Sequence, residues 1–195
     1  MRRMINTCLL ILVVLVSINA KASDILSVKV GNASTIHVSL QNALKGQKLY
    51  LKNYSGNVIF NMTLTEDKSY QKTFDLALLK DGIYFVETET AFDIKVTPVV
   101  KNSKGVALIN ESVNVIFKPT VKEDKGMIHV LLNNIEKSPV ILSVYDKEGV
   151  LLHTERISDK EYIIKRSYNF TKVPSGEYSL YFRLRDRVFT ETVSI

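Results

Sequence analysis

Apolar and polar residues alternate in short runs along the chain from Ile25 onward. These runs return about every eight to twelve residues, with Gly, Asn, Asp, Lys or Ser between them, which is typical of an all-β sandwich. No segment places apolar residues at helical spacing over several turns, so we predict essentially no helix. In the first half of the chain the alternation predicts strands near Ile25–Val30, Thr35–Leu40, Lys48–Asn53, Val58–Met62, Tyr70–Leu76, Ile83–Thr90 and Phe92–Val99.

The second half of the chain repeats the first at a spacing of 92 to 94 residues. Ile36-His37-Val38 returns as Ile128-His129-Val130, and Gly82-Ile83-Tyr84 returns as Gly176-Glu177-Tyr178. A period this long excludes a solenoid repeat and indicates one duplicated domain. We therefore predict two tandem immunoglobulin/fibronectin III-like β-sandwiches, at residues 23–102 and 103–195, joined at the polar stretch 101–105.

Each copy carries a glycine two residues before a tyrosine, at the start of a late strand. This arrangement is typical of a sandwich corner, in which the tyrosine hydroxyl returns to the backbone a few residues upstream. Two residues beyond the tyrosines lie Val86 and Leu180, where antibody-type domains place a disulfide cysteine. The sequence therefore favours the plainer fibronectin III type of sandwich, without disulfides.

The N-terminus has the features of a signal peptide at residues 1–22. Arg2 and Arg3 precede the apolar run Cys8–Val16, and Ala20-Lys21-Ala22 supplies the small residues of a cleavage site. A retained N-terminal anchor is the alternative interpretation. Cys8 is the only cysteine of the chain, so cleavage leaves no thiol for a disulfide or a metal, and no transmembrane segment is expected after it.

Charge and aromatic content limit the classes of partner. The net charge of +6 falls to +3 once the three basic residues of the leader are removed, and no basic run remains, so we expect no nucleic acid binding. The chain has nine Tyr, eight Phe and no Trp. Tyr50, Tyr54 and Tyr181 are thus the candidates for an aromatic platform that would bind a glycan.

Turn and core residues in both copies resemble one known family. In the first copy they are Leu49–Asn53 and Phe74–Val86, and in the second Val144–Gly149 and Pro174–Tyr178. These segments resemble the small immunoglobulin-like domains that end cargo proteins of the Bacteroidetes type IX secretion system. The resemblance implies an exported protein in the periplasm, on the outer surface or in the medium, and related domains form small secreted proteins of unknown function.

The chain offers no recognisable catalytic, cofactor or metal site. It lacks a Gly-x-Ser-x-Gly nucleophile motif, a phosphate-binding glycine loop and a Walker lysine. The acid pairs at residues 66–67 and 123–124 fall in predicted turns, and His37 and His129 occupy the same outward position in separate copies. We therefore predict that the protein is not an enzyme and binds no cofactor.

The strand after the corner tyrosine differs between the copies. Alternation points Phe85, Glu87 and Glu89 outward in the first copy, where the second copy points Tyr181, Arg183 and Arg185 outward, followed by Arg187. Tyr and Arg are enriched at binding surfaces. We therefore form the hypothesis that Tyr181, Arg183, Arg185 and Arg187 bind an anion or a partner, including an acidic strand like that of the first copy. A solvated sheet face is the alternative.

These observations predict a non-catalytic protein of the envelope or the medium. We expect it to serve in binding or adhesion, or as a structural accessory, with a protein or glycan partner. The alternative is a sorting or assembly component of a type IX-like export system.

Overall fold

The computed structural model describes residues 24–110 and 112–195. The predicted signal peptide, residues 1–22, and its cleavage site lie outside this part of the chain. The described residues form sixteen β-strands and no helix, which confirms the predicted all-β fold class. Accordingly, no helix that could span a membrane is found in residues 24–110 and 112–195.

The first copy forms two facing sheets from seven strands. One sheet has the order β1-β2-β5, and the other contains the order β4-β3-β6-β7. All pairings are antiparallel, and each predicted strand lies within a few residues of an observed one. The strands are β1 (Ile25–Val30), β2 (Thr35–Ala43), β3 (Lys48–Asn53), β4 (Val58–Thr63), β5 (Lys68–Asp75), β6 (Gly82–Glu89) and β7 (Asp93–Asn102).

The second copy has the same topology. Its sheets have the orders β10-β11-β14 and β13-β12-β15-β16, again three strands facing four. This equivalence of strand order supports the duplication that the sequence predicts. The strands are β10 (Thr120–Asp124), β11 (Met127–Asn133), β12 (Val140–Asp146), β13 (Leu151–Ile157), β14 (Ile163–Asn169), β15 (Glu177–Leu184) and β16 (Arg187–Ser194).

Two short strands connect the copies: β8 (Gly105–Leu108) and β9 (Asn114–Phe117). Both pair with β7, so they extend the larger sheet of the first copy. The polar stretch 101–105, where the sequence places the junction, is the turn of the β7–β8 hairpin. Polarity alone does not distinguish a hairpin turn from a linker, because both expose backbone to water. Where the chain divides into domains stays a prediction.

Each copy has its own hydrophobic core. Leu51 and Val86 belong to the first core, and Val144 and Leu180, their counterparts in register, belong to the second. All four side chains are almost fully buried. Burying one such aliphatic side chain contributes about 1.5–3 kcal/mol, so the alternating strand pattern supplies most of the driving force for each sandwich.

Both predicted tyrosine corners are present. The hydroxyl of Tyr84 donates to the carbonyl of Lys80 at 2.6 Å, and that of Tyr178 donates to the carbonyl of Pro174 at 2.6 Å. Both tyrosine rings are buried. The corner therefore fixes the start of β6 and of β15, and with it the register of the residues that follow each tyrosine.

The start of β1 is held by a buried ion pair. Lys95 in β7 contacts the carboxylate of Asp24 and donates to its backbone carbonyl at 2.8 Å. Gln47 donates to the other carboxylate oxygen of Asp24 at 2.8 Å. Because the Lys95 side chain is only 9% exposed, its charge depends on these oxygens for compensation.

Candidate partner-binding surfaces

The structure divides the four candidate binding residues into two pairs. Tyr181 and Arg183 lie on the outer face of β15, whereas β15 ends at Leu184. Arg185 occupies a two-residue turn with a φ of 52°, and Arg187 begins β16. Positive φ is typical of the residues in a tight two-residue hairpin turn. The backbone therefore reverses direction at Arg185, although the alternating pattern of the sequence continues through this position.

Arg187 reaches across to the first copy. It forms an ion pair with Glu87 of β6, with Nη2 on Oε1 and Nη1 at 3.4 Å from Oε2. Lys52 of β3 binds the same carboxylate, at 2.5 Å from Oε2. We call Lys52, Glu87 and Arg187 the interdomain triad. Glu87 is on the face that the sequence assigns to it, but it is only 3% exposed.

Arg185 is engaged within the second copy. Its Nε donates to the hydroxyl of Ser138 at 2.8 Å, and its Nη1 lies 2.8 Å from a carboxylate oxygen of Glu136. These contacts tie the β15–β16 turn to the loop before β12. The turn that presents Arg187 is therefore held from both sides.

Tyr181 and Arg183 belong to the outer face of the β13-β12-β15-β16 sheet, which we call the free face. The Tyr181 ring packs edge-to-face on Tyr145, with centroids 5.2 Å apart, and Tyr181 remains 39% exposed. Arg183 is exposed and has no ion pair among the described residues. A shallow depression of this face is lined by Ser143, Tyr145, Thr154, Tyr181, Arg183 and Val188.

A polar cluster closes the gap between the two sheets of the second copy. Arg166 of β14 donates to Glu155 of β13 at 2.8 Å and to Glu161 at 2.9 and 3.1 Å, and Tyr168 donates to Glu155 at 2.6 Å. Burial raises the pKa of the Glu155 carboxyl, but the hydrogen bonds from Arg166 and Tyr168 outweigh it and the net pKa is lowered. The hydrogen bonds from Arg166 lower the pKa of Glu161.

Two of the three histidines, His37 and His129, take equivalent structural roles. Nδ1 of His37 lies 2.8 Å from the Thr73 hydroxyl, and Nδ1 of His129 lies 2.9 Å from the Ser167 hydroxyl. Both rings are exposed on outer sheet faces, as the alternation predicts. Within the described part of the chain, no group of three His, Cys, Asp or Glu side chains could hold a metal ion.

Sequence reasoning missed the partners of the candidate residues. Lys52 and Tyr145 follow from register, since β3 pairs with β6 and β12 with β15, but one sequence does not show which strands pair. Arg156 on β13 was also missed, although its place in an alternating run marks it as outward. The sequence around Glu87 does not indicate that this residue is buried, because Arg187, which covers it, lies 100 positions further along the chain.

Residues 22–102 match the family model of the secretion system C-terminal sorting domain. This match confirms, for the first copy, the resemblance seen in the sequence. No curated protein matches the chain.

Several solved structures show low similarity over most of the chain. The BSP domain of a biofilm associated protein is 13% identical, with a TM-score of 0.30, covering 91% of this chain and 30% of that one. Domains FN1–FN3 of chicken CNTN1 are 16% identical, with a TM-score of 0.29, covering 87% of this chain and 62% of that one. The chain thus spans less than two thirds of either structure, and the fold assignment rests on the strand pairing described above.

The interdomain triad predicts energetic coupling between the two copies. In a double-mutant cycle of Glu87→Gln and Arg187→Gln, we expect a coupling energy of about 1–3 kcal/mol, because both groups are largely desolvated. Urea unfolding of the four proteins measures it. The exposed pair Glu66 and Lys68 is the matched control, with expected coupling of about zero. Equal coupling in the two cycles would contradict the buried interdomain contact.

The cluster around Glu155 predicts loss of stability in acid. A carboxyl whose pKa is lowered on folding contributes stability above its unfolded value of 4.5, and that contribution disappears as the pH falls through the lower folded value. Glu155→Gln should destabilise the protein by about 1 kcal/mol at neutral pH and flatten the acid limb of the stability curve. Urea unfolding as a function of pH measures both effects. An equal effect of Glu177→Gln, at an exposed site, would refute the assignment.

Proposed function

We propose that this protein is an exported, non-catalytic binding or adhesion module, and that the free face of the second sandwich contacts its partner. The match of residues 22–102 to a secretion sorting family supports export. The observation that carries the proposal is the difference between two equivalent sheet faces. On the first copy, Glu87 is covered by the β15–β16 turn of the second copy, whereas the free face keeps Tyr181 and Arg183 exposed.

The composition of the free face suits recognition. Binding energy at protein surfaces concentrates in Tyr, Trp and Arg side chains that are surrounded by contacts of little energy. Tyr145 and Arg183 lie one outward row to either side of Tyr181 on this face, and Ser143 and Thr190 are in register with Tyr181. Tyrosine loses little side-chain entropy on binding, and its pairing with Tyr145 already restricts the Tyr181 ring.

A structural role accounts for the titratable groups with shifted pKa values in the second copy. Glu155 and Glu161 both bind Arg166, and Tyr168 donates to Glu155, so each of these groups has a partner inside the cluster. The cluster lies between two sheets and is not part of the free face. The shifted pKa values of this cluster thus have a structural explanation that needs no catalytic role.

Site-specific photo-crosslinking tests the proposal. A benzoyl-phenylalanine placed at Tyr181 or at Arg183 of the full-length protein, expressed in its native cell, should form a discrete crosslinked species on irradiation. The matched control places the same group at Lys165 on the opposite sheet, which is also exposed. Absence of adducts from the two free-face positions, or the same adducts from the control, would overturn the assignment.

The alternative function is sorting or assembly in a type IX-like export system, and the family match favours the first copy for it. A reporter fused ahead of residues 23–117, which include β8 and β9, should then appear on the cell surface or in the medium of a type IX-competent cell. A fusion to residues 118–195 is the matched control. Retention of the first fusion in the periplasm would remove this alternative.

A further inference from the structure

Two arginines of the free face lack a partner. The described part of the chain has five arginines, and three of them, Arg166, Arg185 and Arg187, form ion pairs. The other two, Arg156 and Arg183, are exposed and form none. Arginine is the cation that protein surfaces use most for planar, two-point recognition of carboxylates. Among the described residues, Arg156 and Arg183 are therefore the cations that are best suited to an external carboxylate.

The two unpaired arginines lie in one row across the sheet. Arg156 of β13 is opposite Ile141 of β12, and Ile141 is opposite Arg183 of β15. Neighbouring strands are about 4.8 Å apart, so the two arginine backbones are separated by about 10 Å with an apolar residue between them. Arginine side chains are long enough to bind one carboxylate together or to bind two adjacent carboxylates.

The next row of the free face supplies hydroxyl groups. Thr154, Ser143, Tyr181 and Thr190 are in register across the four strands. The hydroxyls of Ser143 and Thr154 lie 2.8 Å apart and form a hydrogen bond. A peptide backbone laid over this row would meet both donors and acceptors beside the arginines.

Neither row contains an acidic residue, and Asp186, in the adjoining β15–β16 turn, forms no ion pair with Arg183. Asp146 and Glu177 lie at the far end of the sheet, beside the start of β15. The Asp146 side chain already accepts backbone N–H groups of Glu148 and Val150, at 3.1 and 2.8 Å. The cationic row is thus not neutralised from within the face.

The first copy shows how a face of this fold receives a protein segment. There the outward carboxylate of Glu87 binds Arg187, which lies beside a β-turn of the second copy. In the second copy, Tyr181 occupies the position of Glu87, and Arg183 that of Glu89. The outer positions after the corner thus change from two carboxylates to a neutral tyrosine and a guanidinium. A cationic face is electrostatically complementary to an acidic turn.

We propose that the free face binds an acidic turn or loop of a partner protein, with its carboxylates held between Arg156 and Arg183. This inference rests on the proposed binding function and names its partner by chemistry. The Ile141 side chain and the Tyr145–Tyr181 pair provide the apolar floor against which the turn packs. Partial desolvation by that floor strengthens the arginine–carboxylate contacts relative to those of a flat, hydrated surface.

The test uses the full-length exported protein and three probes at about 0.15 M salt, which screens long-range attraction. The probes are a cyclic peptide with two glutamates in its turn, the same peptide with glutamines, and digalacturonate as an acidic sugar. Isothermal titration should show binding of the glutamate peptide at least about tenfold tighter than that of the glutamine peptide. The double variant Arg156→Gln/Arg183→Gln should lose that difference.

A charge-matched double variant separates specific from general electrostatics. Lys122→Gln/Lys165→Gln removes two exposed cations from the opposite sheet and should change the affinity by no more than about twofold. Equal losses in the two double variants would overturn the proposal. Circular dichroism and thermal melting of each variant check that the sandwiches remain folded.

The remaining outcomes distinguish this inference from the proposed function. Binding of digalacturonate but not of the glutamate peptide would overturn the acidic-turn assignment, and the binding function would stand. Photo-crosslinks at Tyr181 without binding of any probe would lead to the same conclusion. Absence of both crosslinks and probe binding would overturn both proposals together.

Discussion

The arrangement of the two copies depends on the ion pairs that the buried carboxylate of Glu87 forms. A buried carboxylate costs several kcal/mol unless cations compensate it. Lys52, on the neighbouring strand of the same sheet, provides one cation, and Arg187 of the second copy provides the other. Through Arg187, the β15–β16 turn lies against the first copy and adds a second cation to the buried Glu87–Lys52 pair. The contacts of Arg185 with Ser138 and Glu136 keep that turn in shape.

The two copies keep the same framework and differ in what their outer faces do. The corner tyrosines make the same hydrogen bond, and His37 and His129 bind equivalent hydroxyls on the neighbouring strand. These shared contacts hold strands in register, so divergence is confined to outward positions. The outer face of the first copy contacts the second copy through Glu87 and Arg187. The outer face of the second copy carries exposed aromatic and cationic residues. The two outer faces thus differ in exposure, because Glu87 is buried against Arg187 whereas Tyr181 remains exposed.

The sequence was sufficient for the features that depend on local alternation. Strand positions in the first copy, the absence of helix in the described residues and the corner at Tyr84 and Tyr178 follow from period-two patterning and short motifs. The sequence was insufficient for features that depend on pairing between distant strands. Alternation from Tyr181 continues to Arg187 without a break, although the chain reverses at Arg185, and no Gly or Asn marks that turn. The burial of Glu87 and the alignment of Arg156 with Arg183 across the sheet both arise from contacts between distant segments of the chain.

The ion pair between Lys95 and Asp24 has a consequence for maturation. Asp24 lies two residues beyond the predicted signal peptide, yet its carboxylate is buried against Lys95 and Gln47. A protease that trimmed the mature N-terminus past this residue would leave the Lys95 ammonium buried with only Asp93, 3.5 Å away, to balance it. A cut at the predicted site, ahead of Asp24, would keep this ion pair and with it the attachment of the N-terminal end of β1 to β7.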